Sequence, residues 1–156
     1  MKGVQMTASY PEGIDCVWLA SDREGNVGAF ATGGSGPIPV GALTETQPAI
    51  VDIEERVHLL PRTSQAKLLV TVKRPDDFIA MAERGLYVYD WSDVHRTARE
   101  AIGAYELMAA PLRPITAREM ADEFAATLAG ANLNTVSFET ERLLDVRTLL
   151  PCCEPE

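Results

Sequence analysis

No apolar run in this 156-residue chain approaches the ~20 residues that cross a bilayer, and the opening "MKGVQMTASY" has no apolar stretch of signal-peptide length. A cytoplasmic location, with no membrane among the partners, is the expectation. Basic residues are scarce: 14 Lys and Arg stand against 23 Asp and Glu, giving a net charge of -9. Each phosphate contact takes a Lys or Arg, so the balance argues against nucleic acid and favours a basic protein partner. Three cysteines, one in an apolar segment (Cys16) and two adjacent near the end (Cys152, Cys153), do not make a disulfide framework. All three are expected reduced, and no cofactor is implied.

Repeats, low-complexity stretches and linkers are also missing, so one domain is expected over residues 1–150, with 151–156 as a tail that need not be ordered. A chain of this length buries about two-thirds of its unfolded surface and needs neither metal nor disulfide to fold.

Periodicity supplies the elements. Residues 14–20 and 27–31, rich in pleat-favouring side chains and separated by "SDREGN", read as a hairpin, the first strand apolar on both faces and hence central. A helix over 48–60, introduced by the capping box "TETQ", places Ile50, Ile53, Val57 and Leu60 on one face, and Pro61 stops it. A strand at 67–72, a helix after Pro75 ending near Gly85, and strands at 86–91 and 102–110 follow, with 92–100 a polar connection. A second capping box, "TARE", predicts a helix carrying Met120, Phe124 and Leu128 up to Gly130. A strand over 135–139 and a short helix over 143–149 close the order. Two hairpins in that order predict an α+β fold: a mixed or mainly antiparallel sheet with about three helices packed on it.

Motifs that carry chemistry fail one by one. "FATGGSGPIPVG" has the glycine interval of a phosphate loop, but Ala42 and Leu43 stand where Lys and Ser or Thr belong. Pro39 replaces the third glycine of a dinucleotide fingerprint, and Pro37 closes off a nucleophile elbow at Ser35. A tight turn followed by a stiff extended segment is the reading that remains. Cys16 with His58 or His95 could form a nucleophilic pair; a buried inert thiol and a packed histidine are the simpler accounts.

The best polar constellation is "YDWSDVH", where Asp90, Asp93 and His95 could ligate a metal ion or act as base and orienting acid, joined by Asp15 or Asp22 if the two hairpins adjoin. A solvated turn or a helix cap explains the same residues. Tyr87, Tyr89, Trp91 and Tyr105 form an aromatic set that is either sheet core or a docking surface. In the second case Asp22, Glu54 and Glu55 supply acidic contacts for a basic partner. A third reading is a homo-oligomer in which the aromatic face is covered by a second copy.

"IDCVWLASDREGNVGAF" followed by "GPIP", and "GLYVYDW" followed by "AYELMAAPLRPI", resemble segments of uncharacterised bacterial proteins, some similar to the small acidic immunity proteins of toxin systems. The resemblance implies a bacterial, cytoplasmic, non-catalytic domain that neutralises a basic protein. It carries over no active-site residue. The leading expectation is a protein-binding domain, with a metal-dependent or acid-base hydrolase at Asp90, Asp93 and His95 as the alternative.

Overall fold

The computed structural model describes residues 9–44, 48–95 and 100–155, with the side chains of 92–95 and 100–102 outside that description. Strand β1 (Val17–Asp22) turns into β2 (Val27–Ala31) as an antiparallel hairpin, Val17 opposite Ala31 and Ser21 opposite Val27. The turn is closed by a side chain of its own: Asp22 Oδ1 accepts the backbone N–H groups of Glu24 at 3.0 Å and Asn26 at 2.9 Å. Gly33 and Gly34, both at positive φ, then swing the chain into β3 (Ile38–Pro39) and α1 (Val40–Thr44). This is the turn and extended segment expected of the glycine-rich stretch. The first capping box extends into residues outside the described set.

The helix expected over 48–60 is a 3-10 turn (Ile50–Asp52) followed by α2 (Ile53–Val57), with Ile53 and Val57 buried. Next come β4 (Ala66–Leu68), α3 (Asp76–Ala82), β5 (Tyr87–His95) and β6 (Glu100–Pro111). Of the polar connection expected over 92–100, the described residues 92–95 and 100 are strand, since β5 runs on to His95 and pairs it with Glu100. A 3-10 turn (Asp122–Phe124), α4 (Ala125–Ala129), β7 (Asn132–Leu133), β8 (Leu143–Leu144), a third 3-10 turn (Val146–Thr148) and β9 (Cys152–Cys153) complete the chain.

The fold is α+β with a mixed sheet. Its order is β4-β6-β5-β2-β1-β7, with β8 added to β6 and β3 pairing separately with β9. The β2–β5 and β1–β7 pairs are parallel and the others antiparallel. Alternation divides each strand between two cores. Val17, Leu19, Val27, Ala29 and Val88 meet Ile53, Val57, Met81, Phe124 and Leu128 from the helices. On the other face Trp18, Phe30, Tyr89 and Tyr105 pack with Ile38, Phe138, Leu144 and Val146. There Phe30 stacks between Trp18 at 4.2 Å and Tyr89 at 4.8 Å across three neighbouring strands, each such pair contributing about 0.5–1.5 kcal/mol beyond its burial.

Three local expectations give way to tertiary contacts. Only half of the second capping box forms: Glu119 Oε1 accepts from the amide and the hydroxyl of Thr116, but the Glu119 amide donates to the Thr116 carbonyl rather than to its hydroxyl, and helical structure starts only at Asp122. Thr116 is bridged to Asn26, and Ala117 donates to Gly25 at 2.7 Å, so the β1–β2 turn holds this segment out of helical form. The strand expected over 135–139 is a series of turns. Val136 and Phe138 do face inward, but the Phe138 amide goes to the Asp22 carboxylate at 2.8 Å instead of to a ladder. The helix expected over 143–149 is β8 and a 3-10 turn, and residues 152 and 153 pair with β3.

Candidate functional site

The parallel β2–β5 register decides which polar groups can meet. Asp90 lies opposite Ala31, whose other neighbour is Val17, two residues from Asp15. Asp22 lies at the far end of β1, five residues and about 17 Å along the strand from Val17 at the usual rise per strand residue. The turn of the first hairpin and the end of β5 thus stand at opposite ends of the sheet. Asp22 does not join Asp90, Asp93 and His95.

Asp22 is also spent structurally, 3% exposed and accepting three backbone N–H groups. Asp90 pairs in register with Glu106, and Asp93 falls at a register shift in the β5–β6 ladder. The side chains of Asp93 and His95 lie outside the described residues.

The aromatic set is core for the most part. Tyr89 and Tyr105 are fully buried, with the Tyr89 hydroxyl donating to the Glu141 carbonyl at 2.6 Å and that of Tyr105 to Pro37 at 2.8 Å. Trp91 reaches the surface, where the Arg147 guanidinium sits 5.5 Å over its ring. Tyr87, mostly buried, lines an open cleft of about 430 Å³ with Lys67, Glu139 and Arg142. Cys16 is buried, its thiol 3.9 Å from the Thr32 hydroxyl, and burial pushes its pKa up, as expected of an inert core thiol.

The structure instead gathers titratable groups where α2 meets α3. Glu54 and His58 are one helical turn apart, and Asp77 reaches them from the first turn of α3. One ligand atom from each of the three lies within 4.8 Å of the others. Glu54 and His58 are half-buried and Asp77 is exposed.

His58 Nε2 is buried with no hydrogen-bond partner among the described residues. Burial, and then the nearby Arg84 guanidinium, hold the imidazole below its ordinary pKa, with Asp77 opposing them. Burial raises Glu54, and the charges of Asp77 and Asp15 raise it further.

Arg84 fixes the frame. It is 7% exposed and donates to the carbonyls of His58 at 2.6 Å, Ala80 at 2.9 Å and Leu60 at 3.1 Å, tying the end of α2 to α3. Among the described residues, this Glu-His-Asp group is the cluster that could hold a metal ion.

Compared with family models, curated proteins and solved structures, the chain matches none.

In the sequence Glu54 reads as an acidic contact for a basic partner, and His58 as a packed histidine or a partner for Cys16. The signal that joins them is the Glu-x-x-x-His spacing on a helix. Asp77 carries no such signal, because a non-helical connection separates it from α2 and only the packing of α3 brings it near. Among the described residues, no helix is long and apolar enough to cross a membrane.

Proposed function

We propose that this chain is a protein-binding domain that recognises a basic partner through its helical layer. The observation that carries the reading is the concentration of acids on α2, α3 and the 3-10 turn before α2. Asp52, Glu54, Glu55, Asp76 and Asp77 have no salt-bridge partner among the described residues. Of the cations beside them, Arg56 pairs with Glu123 at 2.7 Å, Arg62 with Glu83 at 3.0 Å and Arg84 with backbone carbonyls, while Lys73 and Arg74, exposed just ahead of Asp76, offset part of the negative charge. Val51 and Leu59, 55% and 77% exposed, add apolar area to the same segment. Acidic groups around exposed aliphatic ones suit a cationic protein surface, with the charges steering encounter and the apolar groups lengthening residence. The resemblance to small acidic immunity proteins points to the same class of partner.

A charge-reversal experiment tests the reading. Wild-type protein and the Glu55→Lys/Asp76→Lys variant are immobilised side by side and exposed to native lysate at low salt. The expected result is a basic protein retained by the wild type, released by about 0.5 M salt, and not retained by the variant. Equal retention by both proteins, or retention of nothing basic, defeats it.

A further inference from the structure

We propose that Glu54, His58 and Asp77 form a binding site for a first-row divalent transition-metal ion, best matched by zinc, at the joint between α2 and α3. This goes beyond recognition of a protein partner; Glu54 and Asp77 belong to both readings, and the grouping of their ligand atoms with that of His58 is what carries this one.

The donor set is one imidazole and two carboxylates, the nitrogen and oxygen combination suited to zinc, manganese or ferrous iron; softer ions call for thiolates, and magnesium or calcium for oxygen alone. Two ligands come from one helix at a spacing that puts them on the same side, and the third comes from its neighbour. An ion held there would clip together two short helices whose described connection is mostly irregular.

His58 Nε2 supplies the second observation. A buried ring nitrogen without a partner costs free energy, and an ion would satisfy it if coordinated at that nitrogen. The hydrogen bond from Arg84 to the His58 carbonyl fixes the backbone behind the ring, so the ligand is positioned before any ion arrives.

Charge works in the same direction. Glu54 and Asp77 bring two carboxylates within 4.8 Å of one another, and a dication between them would convert repulsion to attraction. Tetrahedral zinc, with metal-ligand distances of about 2.1 Å, needs donor atoms roughly 3.3 Å apart. The site therefore closes slightly on binding, a movement within reach of the exposed Asp77 side chain. Three protein ligands leave a coordination position for water or for a group from a partner.

Chelator-stripped protein titrated calorimetrically with zinc chloride tests the site. The expected result is one saturable equivalent, undiminished by equimolar magnesium, and at least about tenfold weaker in Asp77→Asn and in His58→Gln. Asp77 is exposed, so Asp77→Asn keeps its fold, checked by an unchanged urea midpoint. Cobalt substituted for zinc should show ligand-field bands without the thiolate charge-transfer absorption that Cys152 and Cys153 would give. The proposal is overturned by the absence of saturable zinc uptake, by full-strength binding in Asp77→Asn, or by binding that disappears in Cys152→Ser/Cys153→Ser.

Discussion

The carboxylate of Asp22 and the backbone amide of Phe138, 116 positions apart in the chain, meet at 2.8 Å. The same carboxylate closes the β1–β2 turn through Glu24 and Asn26, so one side chain joins the first hairpin to the segment that lids the aromatic core. Asp22→Ala leaves three amides without their acceptor and is expected to cost about 3 kcal/mol, while Asp22→Asn, which keeps one carbonyl oxygen, loses less. Urea unfolding of the three proteins, at constant m-value, checks the order.

Tyr105 presents a second case of shared polar duty inside the aromatic core. Its hydroxyl accepts from Trp18 Nε1 at 3.1 Å and donates to Pro37 at 2.8 Å. Tyr105→Phe keeps the ring but strands a buried indole N–H and a carbonyl, an expected loss of about 2 kcal/mol. A shift in Trp18 emission alongside the lower urea midpoint would trace the loss to this pair, and a variant as stable as wild type would contradict it.

Gly41 in α1 and Gly130 after α4 touch backbone to backbone, each standing where a Cβ on the other would overlap a carbonyl group. Gly41→Ala and Gly130→Ala are each expected to lower stability by about 2–3 kcal/mol by forcing these segments apart. Because both act on one contact, the double variant should cost clearly less than the sum of the singles. Additive losses in denaturant titrations would break the link.

Fold and site differ in how far they can be read from residues alone. The hairpin at 14–31, the strand at 86–91 and the returning strand after 100 rest on local periodicity and turn chemistry, and each is present in the structure. In the segment 116–139 the helix carrying Phe124 and Leu128 does end at Gly130, though it starts only at Asp122, and the signals on either side of it are outbid. Thr116 is bridged to Asn26 and its capping box is half made, and Phe138 faces the core without a ladder because Asp22 takes its amide. The Glu54–His58 spacing was there to be seen, whereas Asp77 becomes a neighbour only through packing of α3.

That cluster makes stability depend on pH in two opposing ways. The Glu54 carboxyl titrates above its ordinary 4.5 in the folded state, so the folded chain holds this proton more tightly and stability falls as pH rises through the raised pKa. His58 titrates below its ordinary 6.5, so the folded chain binds less proton and stability rises with pH between the lowered value and 6.5. Glu54→Gln should therefore gain on wild type as pH climbs past the ordinary carboxylate range, and His58→Gln should resist acid better. Urea midpoints followed from about pH 4 to about pH 8 test both; parallel curves for all three proteins would refute the assignment.

The pairing of β3 with β9 sets Ile38 against Cys153, and Ile38 is fully buried in the aromatic core. On the ribosome this strand has no partner until nearly the whole described chain has emerged. At about 5–20 residues per second, the 116 residues between Asp22 and Phe138 alone take roughly 6 to 23 s to synthesise. Throughout that interval the stacked rings of Trp18 and Phe30 lack the cover that Phe138 and Val146 later give them. The nascent N-terminal half is thus the stage at which this protein is most open to chaperones, and to aggregation.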